Sequence, residues 1–296
     1  MSIPASNSKR LIHGYWRADQ WGLSTQDYVR LIEQVLELGI DTFDHAACYG
    51  SFTNEAAFGH ALAAQPDLRR RMNIISKCGI LFPNAALPHI RSHHYDNSCA
   101  HIVWSAERSI EQLRCGHLDL LLIHRPSPCA HPEEIAAAFE QLHQRGLVKT
   151  FGVSNYPAAK LSMLQSYVQQ PLLSNQIEIS PFQTAPFTDG SLDYLLEKRI
   201  TPIAWSPLGG GRLFDKQNPQ SQRIAAALAA VGEQHNETRL DTLAFAWLLS
   251  HSARISPIIG SGRIERIQNA AAAANIRLTE EQWLAVYTAA QGVPLP

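Results

Sequence analysis

The stretch DHAACYG at 44–50 places an aspartate, a histidine, a thiol and a tyrosine within six positions, and two later apolar runs end in Lys77 and His124. Asp44 follows TF, Lys77 follows IIS, His124 follows LLLI, Asn155 follows GVS, and Gln176 sits in SNQIE. Two readings of the charged members are open. Asp44 and Lys77 form a structural ion pair, since buried charges persist only when well paired. Alternatively, they serve proton chemistry with Tyr49. A phenol with an ordinary pKa of about 10 becomes a useful acid near neutral pH when a neighbouring cation lowers that value. Lys77 is such a cation, and Asp44 can hold it in place. His124 then either orients a carbonyl group or is an ordinary structural histidine.

A second cluster lies near the C-terminus, where PIIG runs through Gly260, Ser261 and Gly262 toward a segment carrying Arg263 and Arg266. Small residues, the free amides of a helix start and two arginines make an anion site; the alternative is a solvated basic helix. Arg125, next to His124, either selects an anionic substrate group or forms a salt bridge.

For these residues to meet, the elements carrying them must converge. Short β-rich runs recur at 11–16, 41–46, 73–78, 118–125, 148–155, 172–179, 201–207 and 256–260. Segments of helical period fill the gaps, at 54–64, 98–114, 132–145, 157–169, 191–199, 221–235, 239–250, 263–274 and 279–290. The clearest helix starts after Ser24 and stops at Gly39, with Val29, Ile32, Leu36 and Leu38 on its apolar face. Alternation of this kind implies parallel strands with helical crossovers, and eight pairs predict one α/β domain over 1–296: a (β/α)8 TIM barrel with extra C-terminal helices. An open doubly wound sheet lacks its GxGxxG turn here. In a barrel, the long connections 79–97 and 208–220 overhang the mouth at the C-terminal ends of the strands.

Composition narrows the partners. The chain has 296 residues, 45% hydrophobic and 17% charged, with a formal net charge of -1. Near-neutrality gives no electrostatic reason to expect nucleic acid or an anionic membrane, so a small molecule is the expected partner. MSIPASNSKR does not read as a secretory signal, and no run approaches the roughly 20 apolar residues of a membrane span, so a cytoplasmic location is expected. The five cysteines (Cys48, Cys78, Cys99, Cys115, Cys129) have no CxxC spacing and read as free thiols. His89 and His93 stand at helical spacing in the 79–97 loop without a third ligand, so no metal is expected. Strand alternation is expected to turn Cys48 and Cys78 behind the site.

Taken in order, DHAACYG, TNEAAFGHAL, ISKCG, LLIHRP, FGVSNY, NQIEISP, AWSPLGGG and PIIGSGRIERI resemble the aldo-keto reductase family over residues 10–275. GYWR and IIGSG resemble one bacterial oxidoreductase branch of it. The resemblance implies metal-free reduction of an aldehyde or ketone by the pro-R hydride of NADPH, with Tyr49 as general acid and Asp44, Lys77 and His124 completing a tetrad. It implies nicotinamide contacts from Ser154, Asn155 and Gln176, and stacking from Trp205. Ser206, Pro207, Leu208 and Gly209 would contact the cofactor, and Gly209, Gly210 and Gly211 would let their loop fold over the pyrophosphate. Gly260, Ser261, Gly262, Arg263 and Arg266 would take the 2′-phosphate of NADP(H), with Asn269 nearby; Ala270 stands where many relatives carry an adenine-binding asparagine. Tyr15, Trp16, Ile80 and Arg125 would shape the substrate site. His45 and Ala47 depart from the family's usual threonine and acidic residue, implying unusual packing around the tetrad. Some members are redox-sensing subunits of channels, so a cofactor-binding regulatory protein is the alternative function. A Schiff-base aldolase using Lys77 is disfavoured, because an ammonium held by Asp44 is a poor nucleophile.

Overall fold

Alternation along each short strand decides which side chains face inward. The computed structural model describes residues 7–295. In chain order the strands are β1 (Ile12–Gly14), β2 (Thr42–Asp44), β3 (Asn73–Cys78), β4 (Ile80–Leu81), β5 (His94–Tyr95), β6 (Leu118–Ile123), β7 (Val148–Ser154), β8 (Leu172–Glu178), β9 (Thr201–Trp205) and β10 (Ser256–Ile259). Among the described residues, eight of these close a barrel of parallel strands in the order β1, β10, β9, β8, β7, β6, β3, β2. β4 and β5 pair antiparallel outside it, turning part of the expected 79–97 loop into a hairpin over the mouth.

The helices are α1 (Thr25–Glu37), α2 (Asn54–Ala64), α3 (Cys99–Leu113), α4 (Pro132–Gln144), α5 (Ala158–Gln165), α6 (Ser191–Lys198), α7 (Pro219–His235), α8 (Leu240–Ser250), α9 (Ile264–Ala272) and α10 (Glu280–Gln291). α1 starts in a capping box between Ser24 and Asp27, and Gly39, at φ 78°, follows its last turn. α7 and α8 both lie in the β9–β10 crossover, and α10 follows α9, which accounts for the extra helices. Trp247 of α8 and Trp283 of α10 stack at 4.8 Å, and each indole N–H donates to the other's backbone carbonyl, at 3.0 and 3.1 Å.

Two apolar layers follow from the alternation. Ile12, Ile75, Leu120, Leu122, Ile203 and Ile258 fill the lumen, with Trp205 capping them toward the mouth. The other faces of the strands pack on the helices in one large core. Gly14 is required by the inner layer: a Cβ there would lie 2.4 Å from Ile258 Cγ2. At the opposite end Asp119 ties three elements, taking Arg69 at 2.9 Å, Lys149 at 2.9 Å and the Ile74 amide at 2.9 Å. No described helix is long and apolar enough to cross a membrane.

Candidate active site

Inward positions at the strand ends are filled by polar groups where the apolar lumen stops. Asp44 closes β2, and Lys77 lies two residues beyond Ile75 on the same face of β3. Lys77 Nζ donates three hydrogen bonds: to Asp44 Oδ2 at 2.8 Å, to the His45 carbonyl at 2.7 Å and to Tyr49 Oη at 3.0 Å. An ammonium has three donors and no acceptor, so this set is complete. Tyr49 must therefore accept from Lys77, and its own O–H is left to donate elsewhere.

Burial opposes charge on Lys77, but Asp44 and Tyr49 together hold its pKa above the ordinary lysine value. For Tyr49 the balance differs from the sequence-based expectation. Burial is the largest influence and pushes the phenol up to about 12; Lys77 pulls it down without overcoming burial. The cation therefore orients the phenol rather than making it acidic in the unliganded site.

His124 follows β6 on the face of Leu120 and Leu122, and its ring meets the Tyr49 ring edge-on, with centroids 5.9 Å apart. Desolvation, then the charges of Lys77 and Arg125, push its pKa well below the ordinary histidine value, so the imidazole is neutral. Cys48 is a correction. β2 ends at Asp44, and Cys48 lies in the turn before a 3-10 segment, so strand alternation no longer governs it. Its Sγ lies 3.7 Å from His124 Nδ1, beside the site rather than behind it. Cys78, still in β3, does turn into the helix-facing core.

A chain of hydrogen bonds continues around the mouth. Gln176 Nε2 donates to Asp44 Oδ1 at 2.8 Å, Ser154 Oγ to the Gln176 carbonyl at 2.8 Å, Asn155 Nδ2 to Ser154 Oγ at 2.8 Å, and Trp205 Nε1 to Asn155 Oδ1 at 3.0 Å. Asn155 holds φ 60°, an uncommon backbone conformation for a residue other than glycine, at the point where β7 turns outward. Beyond Trp205, Ser206 accepts the Gly209 amide at 2.8 Å, Pro207 and Gly209 are buried, and Leu208 packs on the core. Gly210 and Gly211 are exposed with open space at their Cβ positions. Arg212 lies 4.8 Å over the Phe182 ring and holds the end of this loop.

The second cluster forms where β10 passes into α9. Gly260 is exposed, Ser261 and Gly262 are half-buried, and Arg263 and Arg266 are exposed. α9 has no side-chain cap at its N-terminus, and Arg263 Nε lies 3.9 Å from the exposed Glu265 carboxylate of the same turn. An uncapped helix start with two flanking guanidinium groups fits a phosphate dianion. The loop is held from behind: His13 Nε2 lies 2.8 Å from the Ser261 carbonyl, and Trp21 stacks on His13 at 5.8 Å. A Cβ on Gly262 would meet the Trp21 ring at 2.5 Å. Asn269, expected to contact the cofactor, has its amide engaged by neighbours: it accepts from Arg239 at 3.0 Å and donates to Asp241 at 3.1 Å. Its place on α9 faces the start of α8, and neighbouring Ala270 is fully buried.

On the substrate side, Tyr15 is the second correction. It follows β1 and turns to the same outward side as His13, where it is fully buried, stacked on His45 at 4.6 Å and edge-on to Phe58 at 4.9 Å. Trp16, on the other face, is 55% exposed, with the Arg17 guanidinium 4.6 Å over its ring. Ile80 is half-buried in the hairpin. Arg125 lies 6.0 Å over the Trp205 ring and has no ion pair among the described residues, so the salt-bridge alternative is not realised. His89, Arg91, His93 and His94 are exposed, and the described residues hold no cluster of three metal-ligating side chains.

Sequence reasoning missed His13, Trp21 and Asn54, and misplaced Cys48. Buried Asn54 donates to the backbone carbonyls of Tyr15 at 2.9 Å and Trp16 at 3.2 Å, fixing the segment that presents Trp16. Its signal was the polar residue opening the TNEAAFGHAL helix.

The sequence profile of the Aldo/keto reductase family matches residues 10–290. The chain is 44% identical over 287 residues to the oxidoreductase YcsN of Bacillus subtilis, covering 97% of this chain and 96% of that protein. It is 41% identical over 286 residues to a 6-dehydroglucose reductase of Agrobacterium fabrum, covering 96% and 94%. The fold is similar to that of a glycerol dehydrogenase from Gluconobacter oxydans, with a TM-score of 0.84 at 23% identity over 100% of this chain and 95% of that one. With a closed eight-stranded barrel and a profile match that spans it, this chain belongs to the aldo/keto reductase family of oxidoreductases.

Proposed function

We propose that this protein reduces an aldehyde or ketone to the alcohol with NADPH, with Tyr49 as the proton donor. The observation that carries the reading is the saturated Lys77 ammonium: it fixes the Tyr49 oxygen as an acceptor and leaves that hydroxyl's proton for a substrate oxygen. NADPH, when bound, supplies the hydride to the carbonyl carbon. As negative charge grows on the carbonyl oxygen, the Tyr49 O–H transfers its proton there, and the phenolate left behind is met by the Lys77 ammonium. Asp44 balances that ammonium throughout, and neutral His124 adds a polar contact without introducing another charge. The same saturation speaks against Schiff-base chemistry, which needs a neutral amine with a free lone pair.

Ser154, Asn155 and Gln176 would hold the nicotinamide amide, Trp205 would lie against its ring, and the glycine-rich loop at 209–211 would cover the pyrophosphate. Arg263 and Arg266 would hold the 2′-phosphate, which favours NADPH over NADH. The exposed Trp16, together with Arg125 and Glu178, gives the mouth an aromatic and polar character that suits a hydroxylated carbonyl compound. The 6-dehydroglucose reductases among the relatives make sugar aldehydes the first substrates to try.

The test joins binding to turnover. Titration with NADPH should quench tryptophan fluorescence at micromolar concentrations, with much weaker quenching by NADH. Tyr49→Phe should keep NADPH binding while lowering the reduction rate by about a hundredfold or more. Full activity in that variant would overturn the role of Tyr49. Tight NADPH binding with no turnover on any carbonyl would instead favour a regulatory role.

A further inference from the structure

We propose that Cys48 is a positioning residue that sets the tautomer of His124: its S–H donates to Nδ1, so the ring carries its single proton on Nε2. His124 is neutral, enclosed beside Lys77 and Arg125, and a neutral imidazole carries one proton on one of two nitrogens. Which nitrogen carries it depends on what the other one meets. Among the described residues the only hydrogen-bonding partner of the His124 ring is Cys48 Sγ, 3.7 Å from Nδ1; Nε2 has none.

Chemistry decides the direction of this bond. Burial, the largest influence, pushes the Cys48 thiol up to about 11, so it keeps its proton at neutral pH and has an S–H to give. An unprotonated imidazole nitrogen is a good acceptor, whereas a thiol sulfur is a weak one. S–H to Nδ1 is therefore the better of the two arrangements, and it leaves Nε2–H as a donor on the opposite edge of the ring.

The turn makes the contact possible. Had β2 continued past Asp44, alternation would have set the thiol on the face opposite Tyr49. Instead the chain turns at Ala47 and Cys48, Tyr49 N–H donates to the Ala46 carbonyl at 3.0 Å, and both Cys48 and Tyr49 reach His124. The consequence for catalysis rests on the carbonyl-reductase reading. A carbonyl oxygen between Tyr49 and His124 would then receive two donors, Oη–H and Nε2–H, as its charge develops. With the proton on Nδ1, Nε2 would present a lone pair to that oxygen and repel it.

The tautomer can be read without turnover. Two-bond 1H–15N correlation spectra of the full-length protein labelled at histidine nitrogens, with His124→Gln to assign the signals, should show His124 in the Nε2–H form between about pH 6 and pH 8. Cys48→Ala should shift His124 toward the Nδ1–H form or a mixture, and lower kcat for carbonyl reduction about threefold to tenfold with the NADPH dissociation constant unchanged. Cys48→Ser, which keeps a donor, should restore both the tautomer and most of the rate. An Nδ1–H signal in the unaltered protein overturns the proposal, as does an unchanged tautomer in Cys48→Ala. Should Cys48→Ala fail to fold, Cys48→Val, which fills the space without offering a donor, takes its place with the same expected shift and the same overturning result. If no carbonyl is reduced at all, the catalytic reading fails while the tautomer measurement stands by itself.

Discussion

Lys77 concentrates the electrostatics of the site. Its ammonium is fully buried, and removing it leaves Asp44 as an unpaired carboxylate in the same enclosure. Lys77→Met should therefore cost about 3–5 kcal/mol of stability, read from urea unfolding. The double variant Asp44→Asn/Lys77→Met should recover much of that loss, because no uncompensated charge then remains. Both variants should be inactive in reduction, so the comparison separates folding from chemistry. The pH profile follows from Tyr49. In the proposed mechanism, reduction uses the protonated phenol, which is the major form at every pH below its value of about 12. Carbonyl reduction at saturating substrate should be flat from about pH 6 to about pH 9 and should decline only as pH rises toward that value. A decline centred near neutrality would show that another group titrates.

The elements act through their ends. The loop from β10 to α9 is braced from behind by Trp21 and His13, two residues of the β1–α1 region. Gly262→Ala forces its methyl group into the Trp21 ring, so the loop must move away from the brace. The expected result is about tenfold weaker NADPH binding by fluorescence titration, with kcat at saturating cofactor nearly unchanged. On the proposed 2′-phosphate assignment, Arg266→Ala should act more selectively, reducing affinity for NADPH but not for NADH. If both nucleotides weakened equally in Arg266→Ala, the phosphate assignment would be wrong.

At the scale of the whole molecule, three imidazoles among the described residues are buried in neutral form. Desolvation lowers His13 to about 4, and His45 and His124 fall well below the ordinary value, each chiefly through burial. In the unfolded chain they take up protons near pH 6.5; in the folded protein they do not until the pH is far lower. The unfolded state therefore binds more protons in this window, and stability must fall as pH drops from about 7 toward 4, by about 3 kcal/mol from His13 alone. Glu55, whose pKa burial raises, opposes this trend. Urea midpoints at pH 7.5, 6 and 5 should show the decline, and His13→Gln should flatten it. A midpoint independent of pH would show that these rings are hydrated in the folded protein.

The order of apolar runs and helical segments was enough to specify the barrel, because the strand and helix periods alternate along the chain, and helices such as α1, α3, α7 and α10 carry their own caps. Asp44, Lys77 and His124 were legible for the same reason: a polar residue ending an apolar run has few places to be except a strand end. Boundaries were less legible. β1 stops at Gly14, so the outward turn of Tyr15 into the His45 and Phe58 rings depended on which face of one short strand met the core. Cys48 was misplaced because β2 ended four residues earlier than the thiol, and alternation ends with the strand. The brace of His13 and Trp21 behind Ser261 and Gly262 joins residues more than 240 positions apart, which no local pattern encodes. The sequence determined which groups lie near the mouth; closure of the barrel decided which of them touch, because only the closed sheet brings its first and last strands together.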